Sequence, residues 1–351
     1  MENISKNLGQ HFIIGMSDST PSDDLLNFIK TYNIGGVLFL GKNYSSVEAL
    51  VDTNNKLQAA SEIYPLFTSV DHEGGRVQRF KSPFTVLPSY REVTSSKSPK
   101  ELFEIYIMVA CELMSVGINY ELFPVADMTD RLDGVIGDRS IGTDIEKVDA
   151  AISATIRGLV KSGILCCVKH FPGHGCVDED SHQELPSCSK TMEELMKYEM
   201  LPFKRATKAG VHSIMTAHIL FKNIDELPAS LSPKFIQDVI RKDFRFIKLV
   251  VTDDISMGAI TKHFTPQEAS KLALKAGNDV IIYSSSDLNH LANLIDDLAK
   301  DIELDAELKN QTAASQARIR EIKKLIPKKK ASVEQAVGFL EKSELKKIFG
   351  Q

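Results

Sequence analysis

Two short segments concentrate residue types that move protons: KHFPGHG (169–175) and, shortly after it, DSH (180–182). Pro172 with Gly173 and Gly175 excludes an α-helix, so His170 and His174 are not offered on one helical face as a zinc-binding H-E-x-x-H pair would be. The glycines suit a backbone that passes close to a ligand. Within a long loop from about 172 to 191, Asp180 and His182 are spaced to share a hydrogen bond that sets the imidazole tautomer and raises its basicity. The result is a proton donor and acceptor for neutral pH. Further on, Asp253 and Asp254 close the apolar run FIKLVVTDD (246–254). Neighbouring side chains on a strand point to opposite faces, so one carboxylate serves as a nucleophile and the other is structural.

Other polar residues fall at the ends of similar runs: Asp71 after LFTSV, Asp127 after INYELFPVA, Lys169 and His170 in ILCCVKHF, His218 after HSIMTA. One such residue is usually a capping group, but several strand ends together point to a site. HEGGRVQRF (72–80) adds Arg76 and Arg79, and GDRS (137–140) adds Arg139. With Lys169 these donors suit the hydroxyl, amide or carboxylate groups of a polar ligand. Arg76 reads equally well as a surface charge.

These groups need a scaffold that gathers strand ends. Eight apolar, β-branched runs recur near 11–16, 35–40, 66–71, 118–127, 164–171, 212–218, 246–254 and 278–283, with charged, helix-like stretches between them. Gly117, Gly163, Gly210 and Gly277 stand where the preceding helices must stop. Continuous apolar strands alternating with helices imply a covered parallel sheet, and eight units close naturally as a (β/α)8 TIM-type barrel. An open doubly wound sheet would want G-x-G-x-x-G after the first strand, where GMSDST stands instead. The barrel is expected over 1–303, with 304–351 a short C-terminal helical extension packed on it, its faces solvated. About 50 residues are too few for a second domain, so any acid must come from the barrel itself.

Composition narrows the partners. Lys and Arg number 42 against 47 Asp and Glu, a net charge of −5, so no basic field favours nucleic acid or anionic lipid. The N-terminus lacks the pattern of a secretory signal and no apolar run is long enough to span a membrane. Five cysteines without a C-x-x-C pair read as reduced packing residues of a cytoplasmic protein, although Cys176 and Cys188 flank the long loop. The expectation is a monomer acting on a small molecule, with no cofactor and no metal.

In their order, DHEGGRVQRF, VIGDRS, KHFPGHG with DSH, IMTAH and TDDISM resemble the glycoside hydrolase family 3 β-N-acetylglucosaminidases, in particular the short cytoplasmic enzymes of bacterial cell-wall recycling, over about residues 10–285. The resemblance implies a retaining hydrolase that removes terminal, non-reducing β-linked N-acetylglucosamine, with peptidoglycan-derived anhydro-muropeptides as natural substrates. It makes Asp253 the nucleophile and His182, partnered by Asp180, the general acid and then the base. Asp71, Arg79, Arg139, Lys169 and His170 match the sugar-holding positions, and His218 lines the site. A histidine departs from the two-carboxylate scheme, but a neutral partner does not repel an anionic nucleophile. Thr252 replaces the family's usual Ser, and Gly134 stands where an Asn-Pro pair is common, which alters the aglycone side. Without Trp, any sugar stacking falls to Phe, Tyr or His, for example Phe171. Two other activities suit the same residues. One is a phosphorylase that passes the sugar to phosphate. The other is a metal-dependent amidohydrolase, which requires an H-x-H pair that His11 does not supply.

Overall fold

The computed structural model describes residues 4–177, 181, 184–327 and 330–351. Eight parallel strands, β1 (Phe12–Ile14), β2 (Gly36–Phe39), β3 (Phe67–Val70), β4 (Tyr120–Glu121), β5 (Leu165–Phe171), β6 (Ser213–Thr216), β7 (Leu249–Thr252) and β8 (Ile281–Tyr283), stand side by side in chain order. β8 pairs with β1, Phe12 opposite Ile281. The ring closes where Val251 bridges Val280 and the Thr252 N–H donates to the Val280 carbonyl at 3.0 Å. This is the TIM-type barrel, and each of the eight apolar runs supplies one strand.

β4 is shorter than its run because Pro124 has no N–H to give a ladder; pairing resumes at Val125, which bridges Lys169. The stretch 192–210 forms two helices, Met192–Lys197 and Leu201–Ala209, because Pro202 suits a first turn and not a helix interior. Gly117, Gly163, Gly210 and Gly277 all adopt positive φ at helix ends.

Inside the ring, side chains such as Ile13, Leu38, Phe67, Tyr120, Met215 and Leu249 form the inner core. The extension's first helix, Ala306–Lys323, keeps one face in solvent and buries the other. Ile319, Ile322 and Ile326 pack against the inner core, where burying one such side chain is worth about 1.5–3 kcal/mol. Lys323 is buried, donating to Gln10 Oε1 at 2.7 Å and the Gly35 carbonyl at 2.8 Å. Beside it, Asp279 at the start of β8 accepts from Ser315 Oγ (2.5 Å) and Arg318 Nε (2.7 Å) on this helix, and from Arg241 Nη2 (2.6 Å). The helix therefore plugs the end of the barrel where the strands begin. Among the described residues no helix is long and apolar enough to cross a membrane.

Candidate active site

The opposite end gathers the polar strand termini. Directly after β3 the chain makes a hairpin, His72–Gly74 against Val77–Gln78. Gly74 has φ +100°, and a Cβ there would meet the Pro88 carbonyl at 2.4 Å, so only glycine permits the turn. The hairpin swings Glu73 over the barrel mouth, into a chain of alternating charges. Lys169 Nζ donates to Asp71 Oδ1 at 2.6 Å and sits 2.7 Å from Glu73 Oε1. Arg139, on the short turn Gly137–Arg139, grips Glu73 with two parallel bonds, Nε to Oε2 at 2.8 Å and Nη2 to Oε1 at 2.9 Å. Arg79 reaches the other Asp71 oxygen at 3.5 Å. Burial alone would raise the Glu73 carboxyl, but the Arg139 and Lys169 cations outweigh it and hold the group well below its usual range. Lys169 is the converse: burial disfavours its charge, and Asp71 and Glu73 hold its pKa above the usual lysine value.

His170 joins this chain to a second carboxylate. Its Nδ1 donates to Asp127 Oδ2 at 2.6 Å, and its Nε2 lies 3.4 Å from Arg139 Nη2, which fits the Nδ1–H tautomer. Asp127 also accepts the His174 N–H at 2.6 Å. Asp253 follows β7. Burial pushes its carboxyl up, but His170, His218, the Asp254 N–H (2.8 Å) and Lys169 together bring it below the usual aspartate value, so it is ionised. Asp254 serves the backbone instead: its Oδ1 accepts the N–H groups of Ser256 (2.9 Å) and Ser284 (3.1 Å).

The structure thus brings Asp71, Arg79, Arg139, Lys169, His170 and Asp253 together. His218 differs. Its Nδ1 meets Ser230 Oγ at 2.7 Å and its Nε2 the Asp254 carbonyl at 3.0 Å, so both nitrogens are used within the protein and neither is left for a ligand or a metal. Arg76 is neither a ligand group nor a loose surface charge: its Nη2 donates to the carbonyls of Gly134, Val135 and Ile136, bracing that loop. Phe171 is wholly buried against Phe203, Phe235 and Phe244, which removes it as a stacking surface. The glycines of KHFPGHG also serve a purpose other than ligand approach. A Cβ at Gly175 would meet the Met128 carbonyl at 2.1 Å, and one at Gly173 the Glu199 Cβ at 2.9 Å.

Asp180 and His182 lie outside the described residues. Ser181 between them is buried, its hydroxyl 3.1 Å from His174 Nε2 and its carbonyl accepting the Ala259 N–H at 3.1 Å. The loop is not without structure: a 3-10 turn, His174–Cys176, opens it, and Ser187–Cys188 pairs in parallel with Leu220–Phe221.

Sequence reasoning missed two acids. Glu73 was hidden in the turn whose arginines drew attention. Glu121, on β4, is a single acid in an apolar run, and that contrast was its signal. Glu121 Oε1 accepts the His72 N–H at 2.8 Å, Oε2 has no partner among the described residues, and burial pushes the carboxyl well above the usual glutamate value. This leaves the charges of the mouth to Asp71, Glu73, Arg79, Arg139 and Lys169, with Asp127 and Asp253 beyond them.

A closed parallel barrel whose mouth holds an ionised carboxylate among cations offers groups suited to a polar substrate. The model of the glycosyl hydrolase family 3 N-terminal domain matches residues 4–322, and the chain belongs to that family; it is a glycoside hydrolase. It is 37% identical over 256 residues to a beta-hexosaminidase of Tolumonas auensis, covering 71% of this chain and 75% of that one. The glycoside hydrolase family 3 β-N-acetylglucosaminidase of Paenibacillus sp. str. FPU-7 superposes with a TM-score of 0.86 at 30% identity, over 92% of this chain. A fungal multi-domain GH3 β-N-acetylglucosaminidase gives 0.92 at 27%, over 98% of this chain. The chain spans 62% of the Paenibacillus protein and 42% of the fungal one.

Proposed function

We propose that the protein is a retaining exo-β-N-acetylglucosaminidase that removes terminal non-reducing β-linked N-acetylglucosamine, with peptidoglycan-derived anhydro-muropeptides as natural substrates, acting as a cytoplasmic monomer. The observation that carries this reading is Asp253, a buried carboxylate held below the usual aspartate value, with the Asp254 N–H at 2.8 Å and the Lys169 ammonium among the causes. Asp253 attacks the anomeric carbon while His182, oriented by Asp180, gives its proton to the departing oxygen. His182 then takes a proton from water, which attacks the anomeric carbon and frees Asp253 with the configuration retained. Asp71, Arg79, Arg139, Lys169 and His170 hold the sugar. Ser181, which separates Asp180 and His182 in the sequence, is tied to His174 and to the backbone of Ala259. Five free cysteines support a reducing compartment.

The test is product analysis with N-acetylglucosaminyl-anhydro-N-acetylmuramic acid, with and without phosphate. The expected first product is β-N-acetylglucosamine at a rate independent of phosphate. An α product would overturn retention, and a sugar 1-phosphate formed only with phosphate would make the enzyme a phosphorylase. Cleavage of aryl glycosides but not of the disaccharide would remove the muropeptide assignment. Size-exclusion chromatography checks the monomer.

A further inference from the structure

The five free cysteines divide into two kinds. Cys166 and Cys167 are sealed within β5, where burial pushes their thiols up to about 12 and about 11, and the half-buried Cys111 is pushed up as well. Thiols of this kind are poor nucleophiles. Cys176 and Cys188 instead lie within interaction range of each other, while the Cys176 thiol donates to the Gly173 carbonyl at 3.3 Å.

Backbone built from different parts of the rim makes them meet. Cys176 ends the turn His174–Cys176, which the Asp127 carboxylate anchors through the His174 N–H, and its Sγ lies 3.3 Å from the Gly173 carbonyl. Cys188 is held by the parallel pairing of Phe221 with it, and its carbonyl accepts the Lys222 N–H at 3.2 Å. Lys190, ion-paired with Glu199, stands beside them. The Cys176 thiol lowers the Cys188 thiol to about 6 against its burial, with help from the Lys190 N–H and ammonium, while Cys176 is pushed up. Cys176 is half-buried, which gives a small oxidant access.

We propose that Cys176 and Cys188 form a redox modification site, where a peroxide joins them in a disulfide that closes a covalent ring on segment 176–188. The Cys188 thiolate attacks one peroxide oxygen, breaking the O–O bond, becoming a sulfenic acid and releasing hydroxide. The Cys176 sulfur then attacks the Cys188 sulfur, and the sulfenic hydroxyl leaves as water with the Cys176 proton. Two electrons pass from the thiols to the peroxide.

The ring encloses Asp180 and His182 by sequence. The two sulfurs must close to about 2.05 Å, and where that moves a catalytic group by on the order of 1 Å the cost is about 10²-fold. This consequence, unlike the disulfide itself, rests on the proposed acid/base role of His182.

The experiment treats the purified chain with limiting hydrogen peroxide, alkylates free thiols and maps peptides by mass spectrometry before and after reduction with dithiothreitol. Expected is a Cys176–Cys188 cross-linked peptide, about 2 Da lighter and reversed by dithiothreitol, with Cys111, Cys166 and Cys167 alkylated. Cys176→Ser should leave Cys188 as a sulfenic acid that dimedone traps. Two thiols untouched by peroxide, or Cys188 carried to sulfinic acid beside a reduced Cys176, overturn the proposal. Because thiols are read directly, this result is independent of the glycosidase assignment. Rates are then compared on the disaccharide and on an aryl glycoside with a good leaving group. An oxidised enzyme slowed about 10²-fold on the first and little on the second supports the coupling to His182. Cross-linking that changes neither rate overturns that coupling.

Discussion

His218 and Asp254 are joined side chain to backbone: the His218 Nε2–H donates to the Asp254 carbonyl at 3.0 Å, and the Ser230 hydroxyl completes the ring's bonding at Nδ1, 2.7 Å away. Burial lowers the His218 pKa against the pull of Asp253 and the Asp254 carbonyl, so the imidazole is a neutral strut. It holds the Asp254 carbonyl, one residue beyond the proposed nucleophile Asp253. His218→Ala should reduce kcat by about ten- to a hundredfold, the worth of a lost buried hydrogen bond, with KM little changed. Steady-state kinetics on an aryl β-N-acetylglucosaminide check this. A variant with full kcat would show that Asp253 is positioned without it.

Asp253 and Asp254 separate by role. Asp253→Ala should cut turnover of the same aryl glycoside by at least about 10³-fold, as expected for loss of a covalent nucleophile. Asp254→Asn keeps an oxygen for the Ser256 and Ser284 N–H groups and should lower thermal stability more than rate. Equal catalytic loss in both would contradict the division. His182→Ala should hurt the disaccharide more than a nitrophenyl glycoside, whose leaving group needs no proton.

Glu73 neutralises two buried cations, so Glu73→Gln should cost about 3–5 kcal/mol, read as a lower urea midpoint at neutral pH. The sign of the pH dependence follows from its depressed carboxyl: the unfolded chain binds the proton more tightly, so this stability is present above about pH 4.5 and is lost as pH falls below it. The variant should show a flatter acid limb than the native protein. Parallel acid limbs would mean that other carboxylates carry the acid sensitivity.

Lys323 predicts the opposite end of the scale. Burial lowers its pKa well below 10.5, while two carbonyl oxygens and the Phe67 ring face, 4.5 Å away, favour the ammonium less strongly. The unfolded chain then binds more protons, so stability should rise as pH increases toward 10.5. Lys323→Met should remove that part of the slope between pH 7 and 9.5, measured by denaturant unfolding. Identical slopes would mean that the amine stays charged in the fold.

The eight strands were legible because a parallel strand buried on both faces must be apolar along its length, and a polar residue at its end stands out. Asp71, Lys169, His170 and Asp253 were found on that contrast. Arg79 and Arg139 were found as donors near glycines, but their partners were not. Glu73 meets Lys169 and Arg139 across three separate elements, and no local pattern encodes such a meeting. The raised pKa of Glu121 is a property of its surroundings, set by desolvation from strands distant in sequence. Arg76 had two readings because its acceptors are backbone carbonyls, which carry no side-chain signature. Which face of the extension packs on the barrel was not legible for a related reason. Its isoleucines, at 319, 322 and 326, mark a buried stripe only once something is known to lie beneath them.

That stripe has a consequence for how the chain is made. Ser315, Arg318 and Lys323 bind Asp279, Gln10 and Gly35, so the first and last strands are tied together at their base by residues that leave the ribosome after every strand has emerged. Without them the base of the ring would lose the cover that Ile319, Ile322 and Ile326 give its inner core, so the barrel's lining depends on the last part of the chain to be made.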